Sequence, residues 1–292
     1  MSTEAANPLS GDWYLEQETF GYVQGAHVRQ RLARAQTSFQ AIELIDTDLF
    51  GRCLILDGAL QTTEWDEFMY HEMLVHVPLF THPNPRNILI IGGGDGGTLR
   101  RVLEHPATQP VQVEIDPAVI DQCRKYIPAI SNGAFSDPRA KVVIGDGFEF
   151  IRNRPAAFDV ILVDSTDPVG PAVPLFEEPF YRDVSQALTD DGLLAAQSNS
   201  PIYMASQLKA QLSNLRAVFP IVRTYIGLVP TYPGGVWSFT IASKRHDPTR
   251  LSLDDLSARV ASAGLTTRYY TPQIHQAAFV LPPFIAELVG SD

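Results

Sequence analysis

Apolar positions along the chain follow two different periods, and the change of period divides it. Between residues 10 and 62 the runs TSFQAIELID (37–46) and GRCLILDG (51–58) are β-branched and apolar, with a turn-like stretch at 46–50 between them. They predict short strands in a small antiparallel sheet. From Thr63 the period becomes helical: Phe68, Met69, Glu72, Met73, Val75 and His76 share a segment that opens with Thr63 three residues before Asp66, a capping pair. The three prolines between Pro78 and Pro85 are expected to close this helix. Short apolar runs then recur at NILII (87–91), VQVEI (111–115), KVVIG (141–145), VILVD (160–164) and LLAAQ (193–197). Segments of helical period separate them, at 98–104, 117–126, 176–188 and 202–218. This alternation predicts an α/β fold with a doubly wound parallel sheet. Asp116-Pro117 is a start signal for one helix, with Asp as cap and Pro at the first helical position. IVRTYIGLV (221–229) and VWSFTIAS (236–243) follow with no full helix between them, so the sheet should end in antiparallel strands. Ser252 and Asp255 have capping-box spacing at the head of a last helix, 252–262. The expected division is a β-strand domain over 1–64 and a catalytic domain over 65–292.

Composition narrows the function classes. Hydrophobic residues make up 45% of the 292 and charged residues 19%, the balance of a chain that folds. Lys and Arg number 22 against 33 Asp and Glu, for a net charge of −11, the wrong sign for a surface that neutralises phosphates. Nucleic acid is not an expected partner. No apolar run approaches the ~18 residues of a membrane-spanning helix, and MSTEAANPLSGD lacks the basic start and apolar stretch of a signal peptide. A cytoplasmic protein without membrane attachment is expected. Cys53 and Cys123 have no metal-type spacing and read as reduced packing residues; Trp13, Trp65 and Trp237 read by default as core.

In an open parallel sheet a ligand sits beyond the carboxyl ends of the strands, and here those ends are acidic. GGGDGG (92–97) follows the first strand, then come Glu114 and Asp116, Asp146, and Asp164 with Asp167. Gly92, Gly94 and Gly97 satisfy GxGxxG, and Glu114 lies near the distance at which a carboxylate meets ribose hydroxyls. A pyrophosphate would be repelled by Asp95 within that turn, since unit charges ~4 Å apart interact by about 4 kcal/mol at an effective dielectric of ~20. A cationic adenosine derivative such as a sulfonium fits better, and the acidic crevice calls for a cationic second ligand. The competing reading makes each acid a turn or cap residue. HEMLVH (71–76) does not form a zinc helix, because its histidines are five apart, about 140° around the helix. No GxSxG elbow is present and neither cysteine has a recognisable His partner, so covalent catalysis has no support. Tyr70 and Tyr232 lie among polar and turn residues and either pack or aim a hydroxyl at a ligand.

The runs LDGALQTTEWDEFMYHEM (56–73), NILIIGGGDGGTLRRVLEH (87–105), VEID (113–116), GDGFEF (145–150), DSTDPVGPAVPLF (164–176), PTYPGG (230–235) and RYYTPQIHQAAFVLP (268–282) resemble the polyamine aminopropyltransferases, the spermidine synthase family. The resemblance spans about residues 12 to 286, in order. It implies transfer of an aminopropyl group from decarboxylated S-adenosylmethionine to putrescine, giving spermidine and methylthioadenosine. The implied fold is a Rossmann-like, methyltransferase-type doubly wound sheet behind the small N-terminal antiparallel β domain. Carried over by position, Gln40 and Gln61 resemble donor-site residues, Asp95 the carboxylate that holds the donor's ammonium, Glu114 the ribose ligand, and Asp146 with Gly147 the adenine edge. Asp164 is similar to the acid–base residue, with Tyr70 orienting the same nitrogen. Asp167, Tyr70, His71, Gln197 and Tyr232 resemble the acceptor-binding set, and Ser165 to Val173 a loop that closes over the site.

The resemblance further implies no metal and no cofactor, the sulfonium donor being a co-substrate, and a homodimer or homotetramer formed through the β domain. Asn199 departs from the pattern: QSNSP stands where many bacterial relatives have QSESP. The missing carboxylate leaves cadaverine, spermidine or agmatine as alternative acceptors. An S-adenosylmethionine-dependent methyltransferase shares the fold but gives no reason for DSTDP and PTYP. A polyamine or nucleoside sensor has no need of a base at Asp164 beside Tyr70.

Overall fold

The computed structural model describes residues 10–19, 21–167 and 170–290. The first nine residues of the N-terminal stretch, and residues 168 and 169 of the expected closing loop, lie outside them. Five strands, β1 (Trp13–Thr19), β2 (Tyr22–Gln36), β3 (Ala41–Thr47), β4 (Gly51–Leu56) and β5 (Ala59–Thr63), form an antiparallel meander. Short strands are expected there, yet β2 runs for 15 residues. Its register shifts twice against β3, which lets one strand bend without ending.

A long helix, α1 (Glu67–Thr81), leads into the second unit. The helix ends at Thr81, within the proline-rich stretch 78–85 expected to close it, with Pro78 inside its last turn. The ring removes one backbone donor, but His82 N–H still reaches Pro78 O at 3.0 Å, and Pro83 and Pro85 follow the helix. Burial holds this turn: Leu74, Val75 and Val77 are each 0% exposed, so α1 is buried nearly all round.

There follow β6 (Asn87–Gly92), α2 (Gly97–Leu103), β7 (Gln109–Glu114), α3 (Pro117–Tyr126), α4 (Pro128–Ser131), β8 (Lys141–Ile144), α5 (Gly147–Ile151), β9 (Phe158–Asp164), α6 (Glu178–Ala187), β10 (Leu188–Gln197), α7 (Ala205–Arg216), β11 (Ile221–Leu228), β12 (Val236–Ser243), α8 (Leu253–Ala263), α9 (Pro272–Ala278) and α10 (Pro283–Val289). The seven-stranded sheet has the order β11-β12-β10-β9-β6-β7-β8. Five strands are parallel, and β12 runs antiparallel to both β10 and β11. Alternate residues feed two cores. Ile88, Ile90, Val160 and Leu162 pack with Met73, Leu74 and Leu99, while Leu89, Ile91, Ile161 and Val163 pack with Phe180, Leu208 and Leu212. A third cluster joins the two units, with Ile42, Leu44, Leu54 and Leu56 against Val119, Cys123 and Ile127.

Asp116 caps α3 and Ser252 caps α8, as the spacing predicts. Glu72, 0% exposed, draws in the C-terminal segment by accepting the backbone N–H groups of Arg268, Tyr269 and Tyr270. Both cysteines are buried and free. Trp237 is buried, but Trp65 is 43% exposed and leans on Phe50 at the rim of the small sheet, so the core reading fails there. Among the described residues no helix is long and apolar enough to cross a membrane.

Candidate active site

The carboxyl ends of β6, β7 and β9 open into a cavity of about 410 Å³, roofed on one side by Phe39, Gln40, Leu56 and Gln61 of the small sheet. The glycine turn is there for close approach. A Cβ on Gly92 would lie 2.2 Å from Asp164 O, one on Gly94 2.9 Å from Glu114 Oε2, and one on Gly97 2.2 Å from the His71 ring. Each glycine therefore lets the backbone pack against a different wall of the site. Gly147 serves similarly, since a Cβ would stand 2.4 Å from Ile91.

Asp164 ends β9 opposite Gly92. Tyr70 Oη donates to its Oδ1 at 2.8 Å and Thr98 Oγ1 to its Oδ2 at 2.7 Å. Burial raises its carboxyl above the usual range; the His71 charge opposes that shift and the Asp95 charge adds to it. Burial and Asp164 also keep Tyr70 a phenol, and hence a donor. Asp95, 8% exposed, accepts Gly97 N–H at 2.7 Å. Burial works against its charge, but His71 and that N–H hold it below the usual carboxylate range. Glu114 accepts Asp116 N–H at 2.9 Å, yet burial pushes it up to about 7. Asp146 lines the cavity and accepts Phe148 N–H at 2.8 Å, capping α5.

Asp116 is an exception among the acids. It does not border the cavity, and its second oxygen receives Thr37 Oγ1 at 2.8 Å and Gln40 Nε2 at 3.2 Å. It positions Gln40, so for this residue the cap reading holds. His71 also departs from the grouping expected for it. It lies against Asp95 and does not border the small pocket lined by Asp167, Gln197 and Tyr232.

That pocket, of about 30 Å³, continues the cavity past Tyr70. Gln197 Nε2 donates to Ser165 O at 3.3 Å and Thr166 O at 3.4 Å, fixing the start of the loop. Burial raises Asp167 to about 6, with Gln197 opposing and Glu16 contributing to the rise. Tyr232 Oη donates to Gln61 O, and its ring lies 5.8 Å from that of Tyr70. Asp66 holds the segment carrying Tyr232, accepting Thr231 N–H at 3.0 Å and Thr231 Oγ1 at 2.7 Å.

Three contributors escaped sequence reasoning. Glu16 of β1, 8% exposed, borders the small pocket and accepts Tyr14 Oη at 3.0 Å and Gln24 Nε2 at 3.1 Å. The available signal is its parity with Tyr14 on the inward face of the strand, where a charge needs a reason. Thr98 and Glu67, which holds His71, carry no such signal. Asn199, 0% exposed with φ +63°, has no hydrogen-bond partner on either amide atom among the described residues.

Among the described residues two clusters have the composition of a cation site. In the first, His71, Asp95 and Asp164, both ring nitrogens face carboxylates, which suits a bound proton better than a metal. In the second, His82, Asp191 and His246, His82 Nδ1 accepts Asn84 N–H at 3.2 Å, so Nε2 carries the proton and turns it toward Asp191, 3.8 Å away, with no lone pair left for a metal.

The spermine/spermidine synthase domain matches residues 67–252, and the spermidine synthase tetramerisation domain matches residues 12–64. The chain belongs to the spermine/spermidine synthase family. Polyamine aminopropyltransferases of Bacillus mycoides and of a Thermoanaerobacter species are each 45% identical to it, across 95% and 94% of this chain and 98% of theirs. A spermidine synthase solved with the transition-state analogue AdoDATO superposes with a TM-score of 0.92 at 41% identity, covering 97% of this chain and 96% of that one. The Thermotoga maritima spermidine synthase gives 0.90 at 41% identity over the same shares. As a member of this family the chain is a transferase, a polyamine aminopropyltransferase with the methyltransferase-like core and N-terminal β sheet described above.

Proposed function

We propose that the chain transfers the aminopropyl group of decarboxylated S-adenosylmethionine to putrescine, giving spermidine and methylthioadenosine, without metal or cofactor. The observation that carries this reading is Asp164, half-buried and holding the Tyr70 and Thr98 hydroxyls, in one cavity with Asp95, Glu114 and Asp167. The donor's sulfonium leaves as a neutral thioether and needs no proton. The acceptor does need to lose one: an alkylamine has a pKa near ~10.4 and is almost wholly protonated at neutral pH. Asp164, with its carboxyl raised by burial, takes that proton. The freed nitrogen lone pair attacks the γ-carbon as the carbon–sulfur pair returns to sulfur.

Asp95 holds the donor's ammonium, Glu114 its ribose, and Asp146 with Gly147 its adenine edge, with Gln40 and Gln61 along the methionine-derived arm. Asp167, Gln197 and Tyr232 hold the acceptor's far end. Alignment of nitrogen, carbon and sulfur in a closed site supplies up to ~7 to 11 kcal/mol in well-oriented systems. An intact S-adenosylmethionine would bring its carboxylate toward Asp95 and be disfavoured by like charge. The enzyme works in the cytoplasm as a homodimer or homotetramer joined through the small sheet. The matched tetramerisation domain and the exposed Leu15, Val23 and Leu49 of that unit support the assembly.

Product masses test the reading, with decarboxylated donor offered to putrescine, cadaverine, spermidine and agmatine in competition. Spermidine should dominate. A different dominant product would revise the acceptor, with Asn199 the first residue to examine. S-adenosylhomocysteine formed from intact S-adenosylmethionine would overturn the transfer itself.

A further inference from the structure

His71 has no task in the reaction above, yet it is one of the most constrained side chains in the molecule. It is 2% exposed, with Nδ1 2.8 Å from Glu67 Oε2 and Nε2 3.5 Å from Asp95 Oδ2. An Asp164 oxygen belongs to the same cluster. Arg101 at 3.2 Å and Arg100 at 3.7 Å, both on α2, balance Glu67 from behind. The Tyr70 ring meets the imidazole edge-on, and the start of α2 closes on it so tightly that only glycine fits at Gly97. The groups facing the ring directly are thus Glu67 from α1, Asp95 from the glycine turn and Asp164 from β9, all acids, with the two arginines acting through Glu67. Burial disfavours the charged ring, but Asp95 and Glu67 outweigh it and lift His71 to about 10. Asp95 is therefore paired with an imidazolium before any ligand arrives. An ammonium docking on Asp95 then competes with the imidazolium for that carboxylate.

We propose that His71 is a counter-charge built into the empty site, and that docking of the donor's ammonium on Asp95 expels the His71 Nε2 proton to solvent. This rests on the donor being decarboxylated S-adenosylmethionine. Glu67 is a positioning residue: it keeps the remaining proton on Nδ1, so the neutral ring turns the Nε2 lone pair toward the ammonium and accepts a hydrogen bond from it. A repulsion becomes a contact at the cost of one proton. The complex holds fewer protons than the free enzyme, so donor affinity rises with pH until His71 is neutral in the free enzyme, near 10.

The test is calorimetric titration of the full chain at pH 8 in buffers of differing ionisation enthalpy. The ligands are decarboxylated S-adenosylmethionine and methylthioadenosine, which has the same nucleoside but neither ammonium nor sulfonium. The donor should release about one proton more than methylthioadenosine does, the comparison removing any contribution of Glu114 to ribose binding. His71→Gln should bind the donor with that excess gone. Glu67→Gln, which lowers His71, should reduce the excess and flatten the rise of affinity with pH, and it serves as the deciding variant if His71→Gln does not fold. Equal release by both ligands, or an excess that persists in both variants, overturns the proposal, because the proton then comes from Asp164 or another group. Methylthioadenosine binding without any donor binding would instead overturn the donor assignment, and the inference with it.

Discussion

Three carboxylates that line the cavity are each held by a backbone N–H two residues further along, Asp95 by Gly97, Glu114 by Asp116 and Asp146 by Phe148. Asp164, opposite Gly92, and the groups toward β1 and β5 are held by side chains instead. Tyr70 and Thr98 hold Asp164, 94 and 66 residues away, Tyr14 and Gln24 hold Glu16 from within β1 and the neighbouring β2, and Gln197 reaches back to the loop after β9. The first set of contacts is local to each turn, although Asp95 also meets His71 of α1. The second exists only once the two sheets, α1 and the loop have met. The difference bears on chemistry, because a group held by side chains can exchange partners as the site fills. A group held by its own turn stays where it is.

Four substitutions separate the two sets, in decreasing order of effect. Asp164→Asn should cut turnover by about 100-fold or more while donor affinity in calorimetry stays within a few-fold. Steady-state rates close to wild type would remove Asp164 from the base role. Asp95→Asn should weaken donor binding by about 30-fold or more, with the KM for the acceptor little changed, since truncating a buried charge partner costs at least ~2 kcal/mol. Unchanged donor affinity would detach Asp95 from the ammonium.

Glu114→Gln should weaken the donor by about tenfold, the value of a hydrogen bond to a charged group. It should also raise the melting temperature at pH 8. Burial lifts Glu114 from 4.5 to about 7, so the stability tied to its bound proton is complete below 4.5 and lost as pH rises through 7. The gain from Gln should therefore shrink as melts are repeated toward pH 4.5, and a gain independent of pH would contradict this cause. Glu16→Gln has the smallest expected effect, a rise in the KM for putrescine of about fivefold with kcat and donor affinity held. Because Glu16 contributes to raising Asp167 to about 6, the acid limb of the KM profile should move to lower pH in this variant. A fall in kcat instead would show that the small sheet positions the reacting nitrogen.

The comparison also explains which residues could be recognised in the chain. Asp95 follows β6 in the glycine turn, Glu114 ends β7 and Asp146 comes just after β8, and strand periodicity together with capping chemistry suffices to place them. Asp164 ends an apolar run, but nothing local says that Tyr70 and Thr98 will cover both its oxygens. Glu16 looked like one more strand residue, and His71 like a neighbour of Tyr70 with the same task. The proline-rich stretch 78–85 closes α1 as the pattern suggests, but burial on every side of α1 decides that Pro78 itself stays inside the last turn despite one lost hydrogen bond. Asp116, seemingly part of the acidic crevice, turned away to cap α3 and hold Gln40.

By itself the sequence determined the alternation of strand and helix, the excess of acid at the strand ends and the family to which the chain belongs, because these depend on residue order over a few turns of chain. Only the tertiary structure decided which acids share one cavity, which hydroxyls bind Asp164, and that His71 stands between two carboxylates. Those outcomes depend on segments tens to hundreds of residues apart meeting in a desolvated space, where each charge takes its protonation state from neighbours that local pattern does not specify.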